Sequence, residues 1–139
     1  MDNARPWHVL LIGGASGVGK TSVSYRLARH FGVGITEVDD LHVVLERMTT
    51  PAQYPALHLF RTDPAAFMRM DDDQKLAHAI AYATVMTEAL TAVIANHLDG
   101  GPPLLLEGDF ILPSLAAQAS FDGIPAGGRV RALFVDEPD

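Results

Sequence analysis

Short apolar runs alternate along the chain with segments in which apolar residues recur at helical spacing. Residues 7–12 and 104–106 are rich in apolar and β-branched side chains, which is typical of strands buried on both faces of a parallel sheet. Residues 35–38 and 130–135 predict two further strands. Because helical segments lie between these strands, the pattern predicts an α/β fold in which helices cover a parallel sheet.

Three segments have the periodicity of amphipathic helices, at residues 21–31, 41–48 and 72–98. The apolar positions expected to face the core are Val23, Leu27 and Phe31 in the first, Leu41, Val44, Leu45 and Met48 in the second, and Leu76, Ile80, Ala83, Leu90, Val93 and Ile94 in the third. Acidic residues at 71–73 precede the third segment, and we interpret them as a helix cap rather than a metal site.

The remaining segments lack a clean period. Residues 49–64 contain three prolines and predict an irregular excursion, although Tyr54, Leu57 and Phe60 make it too apolar for a solvated tether. Residues 113–119 predict one or two helical turns, and residues 123–128 predict a loop. The methionines at 48, 68, 70 and 86 are interpreted as core filler.

The composition of the chain argues against several classes of function. The chain has 139 residues, of which 48% are hydrophobic, and this predicts a single domain over residues 1–139. The net charge of −7 argues against nucleic acid or an anionic membrane as a partner. Cysteine is absent, which excludes disulfides, thiolate zinc sites and cysteine nucleophiles. We find neither an apolar run long enough to span a membrane nor a secretory signal, and therefore expect a cytoplasmic protein.

Residues 14–21 form the clearest chemical motif. They read Gly14-Ala15-Ser16-Gly17-Val18-Gly19-Lys20-Thr21, fit the pattern Gly-x-x-x-x-Gly-Lys-Ser/Thr, and are followed by Ser22. Glycines let backbone N–H groups curl around an anion, and the following helix adds its positive N-terminal dipole. The Lys20 ammonium suits the β- and γ-phosphates, and the Thr21 hydroxyl suits Mg²⁺. Since an apolar run precedes this loop and a helical pattern follows, we predict a P-loop NTPase fold of three αβα layers that binds a nucleoside triphosphate.

Acidic residues follow two of the predicted strands. Ligands of parallel α/β sheets lie beyond the carboxyl ends of the strands, where Asp39-Asp40 and Glu107 are expected. We assign Glu107 to the Mg²⁺ side, with Asp109 as an alternative. Asp39 is the candidate for binding or deprotonating an acceptor hydroxyl, and Asp40 is the better candidate for a helix cap.

Other polar residues carry weaker signals. Arg47, Arg61 and Arg69 lie in or beside the segment before the long helix, where small-molecule kinases commonly cover the acceptor, and each is a candidate acceptor contact. His42 and Glu46 are four residues apart, and we interpret them as a surface pair rather than metal ligands.

Taken together, these motifs resemble a known family. The phosphate-loop residues 12–22, Val38-Asp39-Asp40, Leu105-Leu106-Glu107-Gly108 and Ile111-Leu112-Pro113 resemble 2-phosphoglycerate kinase and its relatives, and are more distantly similar to the zeta-toxin and chloramphenicol-phosphotransferase group of P-loop kinases. The resemblance implies transfer of the γ-phosphoryl group of ATP, with Mg²⁺, to a hydroxyl of a small metabolite. It also implies Lys20 and Thr21 at the nucleotide, Asp39 near the acceptor and Glu107 near the metal.

Two differences from that family bear on function. Phe110 stands where the resemblance implies a histidine, so acceptors other than a 2-phosphoglycerate-like acid stay open. The resemblance also implies an arginine-bearing lid and a last strand beyond the fourth, and we expect this chain to be a kinase core without them. The alternatives are a nucleotide-binding regulatory module without turnover, and a kinase acting on an antibiotic or a nucleotide-sugar whose acceptor pocket is lined by residues 54–60.

Overall fold

The fold is built on a parallel sheet of four strands. The computed structural model describes residues 4–137, and in it the strands β1 (Val9–Gly14), β2 (Gly34–Glu37), β3 (Leu104–Glu107) and β6 (Val130–Val135) lie in the order β2-β3-β1-β6. The predicted parallel α/β sheet is therefore confirmed. The register pairs Ile12 with Glu107 and Gly14 with Val135, which brings the glycine-rich turn beside the acidic end of β3.

The predicted strand positions are confirmed with small differences in their bounds. β6 has the predicted bounds, whereas β1 begins and ends two residues later than the apolar run suggested. β2 is shifted one residue towards the N-terminus, and β3 extends through Glu107. The ends of β1 and β3 consequently include the first glycines of the loop and the acid that was expected to follow the strand.

Helices cover both faces of the sheet. One face carries α1 (Lys20–Phe31), whose Ala28 packs with Leu10, Ile12 and Leu105. The other face carries the long helix α5 (Asp72–Leu98). Its buried side chains Met86, Leu90 and Ile94 form the larger core cluster with Leu11 and Leu106. The alternation of side chains along β1 and β3 thus supplies two apolar surfaces, one for each helix layer.

Several residues predicted to face the core are exposed, and these assignments were wrong. Leu76 and Ile80 of α5 are 61% and 50% exposed, because this end of the helix turns Lys75, His78 and Tyr82 inwards instead. Val23 of α1, Val44 and Met48 of the second helix, and Met68 are also exposed, whereas Met86 is core filler as predicted. In α1 the small residues Ser24 and Ala28 face the sheet, which allows close packing.

The segment predicted as an irregular excursion is largely helical. It contains α3 (Pro55–Thr62), and α4 (Pro64–Met68) follows at once; both lie between the second helix, α2 (Val38–Met48), and α5. Pro55 and Pro64 occupy the first turns of these helices, where the missing N–H costs nothing, so they start helices rather than break them. Asp63 caps α4 by accepting a hydrogen bond from the N–H of Ala66.

The acidic start of α5 is a cap, as predicted. Asp71 accepts from the N–H of Gln74, and the Gln74 side chain accepts from the N–H of Asp71 in a reciprocal capping box. Within residues 4–137, α5 alone is long and apolar enough on average to meet a membrane-span criterion. It also carries much of the larger core cluster, as the core helix of a non-membrane protein does, so its composition does not indicate a membrane protein.

The connection from β3 to β6 contains a helical turn and a small hairpin. α6 (Pro113–Ala116) is the predicted helical turn. It is followed by a small antiparallel hairpin of β4 (Ser120–Phe121) and β5 (Ile124–Pro125), so the prediction of plain loop over 123–128 was wrong in part. The Phe121 ring is fully buried beneath the hairpin, and Leu115 of α6 is also fully buried. These two side chains fasten the connection to the α5 side of the sheet.

Candidate active site

Most of the predicted site residues meet at one cavity of about 330 Å³ beyond the carboxyl ends of β1 and β3, which we call the phosphate-loop cavity. Its lining residues are Ser16, Gly17, Gly19, Lys20, Thr21, Asp39, Glu107 and Asp109. Three separate stretches of sequence contribute these residues, and the parallel register of the strands brings the stretches to one edge of the sheet. The cavity is predominantly polar, unlike the other large cavity described below.

The loop between β1 and α1 has the backbone geometry that its glycines allow. Gly14, Gly17 and Gly19 have φ values of 133°, 84° and 94°, which side-chain-bearing residues rarely adopt. Gly19 is also the N-terminal cap residue of α1, so the free N–H groups of that helix begin at the cavity. Ala15 and Ser22 are exposed and Val18 is half-buried in the same segment. The segment has the curvature and the donor-rich helix end that an anion site requires.

Two glycines permit close backbone approaches that build the cavity. A Cβ on Gly14 would overlap the carbonyl oxygen of Val135, so glycine is needed where β1 passes β6. A Cβ on Gly108 would lie 2.5 Å from the Cβ of Val38. Gly108 therefore lets the start of α2 pack against the end of β3, which places Asp39 near Glu107.

Lys20 is the buried cation of the cavity. Its side chain is only 4% exposed; its ammonium group donates to the carbonyl of Ala15 at 2.7 Å and lies 2.5 Å from Oδ1 of Asp109. The sequence suggested Asp109 only as a substitute for Glu107 on the metal side. The structure instead makes it the ion-pair partner of Lys20, so any anionic ligand of Lys20 competes with Asp109.

Glu107 and Thr21 form the second polar pair. The Thr21 hydroxyl donates to Oε1 of Glu107 at 3.4 Å, and the Glu107 side chain is 7% exposed. Burial raises the pKa of Glu107; Lys20 and the Thr21 hydroxyl oppose the shift, and the carboxylates of Glu37 and Asp39 add to it. An anionic carboxylate in a dry, acidic environment is a good position for a cation.

The donors at this point fit Mg²⁺. A hydroxyl and a carboxylate are the hard oxygen ligands that this ion takes from proteins, with water and substrate phosphates completing its octahedron. Among the described residues no group of three or more His, Asp or Glu side chains could hold a metal ion alone. Thr21 and Glu107 would therefore hold Mg²⁺ only together with phosphate oxygens.

Asp39 lies in the first turn of α2, not at the end of a strand. The helix begins at Val38 with Glu37 as its N-cap residue, and no side chain makes a cap hydrogen bond, so the prediction that Asp40 caps this helix was wrong. Both aspartates instead interact with the positive end of the helix dipole. Asp39 lines the cavity and Asp40 does not, so of the two aspartates Asp39 is the candidate for contact with a ligand.

The three candidate arginines are not equivalent. Arg47 and Arg61 line a separate cavity of about 290 Å³ beside α2, together with Val43 and Glu46. The Nε of Arg61 lies 2.6 Å from Oε2 of Glu46. Arg69 is exposed at the C-terminal end of α4 and does not line the phosphate-loop cavity.

The expected surface pair of His42 and Glu46 is instead half-buried within a polar network. The Glu46 side chain is only 10% exposed and lies 3.3 Å from Nδ1 of His42. The Tyr82 hydroxyl donates to Oε1 of Glu46 at 3.0 Å and lies 2.9 Å from the same His42 nitrogen. The prediction of a surface pair was wrong because α5 packs Tyr82 over this turn of α2.

Sequence reasoning missed the aromatic cluster around this network. Tyr82 stacks on Phe110 with 4.3 Å between ring centroids, and His42 meets both rings edge to face. These residues come from α2, α5 and the segment after β3, so no local pattern marks them as a group. The one available signal was Phe110 itself, an aromatic residue directly after the candidate acids.

Comparisons with known proteins agree with a relationship to small-molecule kinases. No protein-family model matches the chain. The chain is 25% identical over 109 residues to 2-phosphoglycerate kinase of Methanocaldococcus jannaschii, an alignment that covers 77% of this chain and 35% of that protein. It is 25% identical over 134 residues to mevalonate-3-phosphate 5-kinase of Thermoplasma acidophilum, covering 94% of this chain and 63% of that protein.

A solved structure supports the fold. An unliganded sugar kinase from Janibacter sp. HTCC2649 superposes with a TM-score of 0.55 over 96% of this chain and 62% of that chain, at 18% sequence identity. The chain thus spans little more than a third of the 2-phosphoglycerate kinase and less than two thirds of the other two proteins. The likenesses support a kinase-like α/β fold and a small-molecule kinase as the kind of enzyme to which this chain is similar.

Proposed function

We propose that the chain is the core of an ATP- and Mg²⁺-dependent kinase that transfers the γ-phosphoryl group to a hydroxyl of a small metabolite. The observation that carries the proposal is the polar cavity in which the glycine-rich loop, Lys20, Thr21, Asp39 and Glu107 meet. Phosphoryl transfer is catalysed mainly by positioning and charge stabilisation, and this cavity supplies groups for both.

The roles follow from the positions of the groups. The N–H groups of residues 14–22 and the start of α1 hold the β- and γ-phosphates, and Lys20 exchanges Asp109 for phosphate oxygens. Thr21 and Glu107 would hold Mg²⁺, which would supply positive charge to the phosphates. Asp39 orients the acceptor hydroxyl and accepts its proton as the oxygen attacks the γ-phosphorus.

The experiment is a coupled ADP-release assay with ATP, Mg²⁺ and a panel of small hydroxyl compounds. We expect ADP release that depends on one acceptor class and is lost in Glu107→Gln. Binding of ATP without ADP release for any acceptor would contradict a kinase and favour a regulatory nucleotide-binding module. Arg131→Gln is the control variant and should retain the wild-type rate, because Arg131 lies near the start of the edge strand β6, opposite Leu10 and away from the carboxyl ends of the strands.

A further inference from the structure

A second large cavity is lined in part by residues that follow Asp39 on α2 and Asp109 after β3. Its volume is about 310 Å³, at the lower end of the ~300–1,000 Å³ range of small-molecule sites. Most of its wall is aromatic, and the rings come from His42, Phe60, Phe67, His78, Tyr82 and Phe110. Helices α2 to α5 and the segment after β3 all contribute, so the cavity is a product of the tertiary fold.

The rings are arranged to contact a flat molecule. Tyr82 and Phe110 are stacked with an interplanar angle of 24°, whereas Phe60 and Phe67 meet at 78° with 5.4 Å between their centroids. The wall therefore contains both stacked and edge-to-face ring pairs, the two geometries in which aromatic rings pack favourably. Apart from Lys75 and the two histidines, such a surface offers few partners to a small hydrated acid.

The charged groups at the wall already have partners within the described residues. Glu46 is the acid among the lining residues, and it is engaged by Arg61, the Tyr82 hydroxyl and His42. Lys75 is the lining cation, and its ammonium group lies 5.9 Å from the centroid of the Phe67 ring, within the range of a cation–π contact. Because most of the wall is aromatic and its charged groups contact neighbouring side chains, the cavity favours an uncharged ligand with a ring.

Sequence neighbours connect this cavity with the phosphate-loop cavity. Asp109 lines one and Phe110 the other, and Asp39 and His42 are one helical turn apart on α2. The charge of Asp39 also raises the pKa values of both Glu107 and Tyr82, so its carboxylate lies within electrostatic reach of the two cavities.

We propose that this aromatic cavity binds the body of the phosphoryl acceptor, and that the acceptor is an uncharged alcohol with a planar ring, such as a nucleoside or an aryl alcohol. The inference rests on the proposed function, which it deepens. The ring lies among Phe60, Phe67, Tyr82 and Phe110, and the hydroxyl extends to Asp39 in the phosphate-loop cavity. The hydroxyl oxygen forms a bond to the γ-phosphorus of ATP, ADP leaves, and the hydroxyl proton passes to Asp39.

The test uses a variant that fills the cavity without removing a ring. Ala79 is an exposed residue of α5 that lines the cavity, and Ala81 is an exposed alanine of the same helix that does not. Ala79→Trp should weaken binding of the acceptor at least about tenfold, whereas Ala81→Trp should leave it within about twofold. ATP affinity should be unchanged in both variants.

The probes are thymidine, adenosine and 2-phenylethanol, compared with 2-phosphoglycerate and mevalonate 3-phosphate, by calorimetry and by ADP release. We expect a ring alcohol to bind and to be phosphorylated, and Ala79→Trp to block both. The inference is overturned if all three ring alcohols bind more weakly than about 1 mM or if Ala79→Trp leaves their binding unchanged.

The same assay separates the two proposals. If either phosphorylated acid releases ADP while the ring alcohols are inert, the inference of a ring-alcohol acceptor is overturned and the kinase proposal is supported. If a ring alcohol binds in an Ala79→Trp-sensitive manner but no compound releases ADP, the kinase proposal fails, and the cavity's role as an acceptor site fails with it.

Discussion

The Lys20 ammonium group and the Asp109 carboxylate form an ion pair of 2.5 Å at the mouth of the glycine-rich loop. The pair holds the loop lysine towards the end of β3, in the place where phosphate oxygens are proposed to bind. A ligand must therefore break one ionic contact to form another. We therefore expect Asp109 to lower the affinity for the proposed nucleotide.

Asp109→Asn should tighten ATP binding about two- to fivefold. In wild type, ATP binding costs the ion pair of Lys20 with Asp109, worth ~0.5–1 kcal/mol, and the variant lacks that ion pair. The measurement is calorimetric titration with ATP and Mg²⁺. Asp122→Asn, at the turn of the β4–β5 hairpin, is the control and should leave the affinity unchanged. Weaker binding by Asp109→Asn would instead place Asp109 among the metal-side groups.

Asp39→Asn should spare ATP binding and lower the rate of transfer by about two to four orders of magnitude, the usual contribution of a general base. Asp40→Asn is the matched control, since both aspartates are exposed in the first turn of α2 but only Asp39 lines the cavity. The readout is single-turnover ADP formation alongside calorimetry. Equal loss of ATP binding and phosphoryl transfer in Asp39→Asn would indicate that Asp39 contacts Mg²⁺ and not the acceptor hydroxyl.

Glu107 should control the pH dependence of Mg²⁺ binding and of stability. Its pKa is raised, so protonation weakens Mg²⁺ binding beginning at a higher pH than for an exposed glutamate. The folded chain also binds this proton more tightly than the unfolded chain. The free energy of unfolding therefore falls as the pH rises from the ordinary glutamate pKa through the raised one.

Thermal unfolding of wild type and Glu107→Gln as a function of pH measures this effect. The variant should gain stability relative to wild type as the pH rises through that window, and it should lose the acid limb of Mg²⁺ binding. A stability difference that is flat with pH, or that changes in the opposite direction, would contradict the raised pKa.

Two glycines of the loop should respond differently to alanine. Gly14→Ala forces a Cβ against the Val135 carbonyl and should lower the unfolding free energy well beyond the ~1–3 kcal/mol of backbone strain alone. Gly17→Ala has open space around its Cβ, so only that strain applies. Chemical denaturation compares the two variants. Equal losses would show that β1 and β6 do not pack as described.

The sequence predicted the sheet well because its strands are short, buried and punctuated by glycine and acids. It also predicted most of the residues that line the phosphate-loop cavity, since strand ends meet at one edge of a parallel sheet. Helices α3 and α4 were not predicted, because the prolines that start them, Pro55 and Pro64, also occur where helices end. Asp40 was misassigned because α2 begins earlier than its apolar pattern suggests.

The aromatic cavity could not be predicted in the same way. Its rings lie on several helices whose relative positions depend on tertiary packing, and Tyr82 and His78 interrupt the apolar stripe of α5 instead of marking it. The exposed positions of Leu76 and Ile80 have the same origin, because this part of α5 faces the cavity with amphipathic side chains.

Calorimetric titration with ATP and Mg²⁺, in wild type and in Lys20→Ala, measures whether the glycine-rich loop and Lys20 bind the phosphates of ATP. We expect wild type to bind ATP and Lys20→Ala to lose at least about tenfold in affinity, as for a charge-assisted contact worth ~1.5–3 kcal/mol. Arg26→Ala, which removes an exposed cation from the same helix, should bind as wild type does. Equal affinity of wild type and Lys20→Ala for ATP would contradict the account.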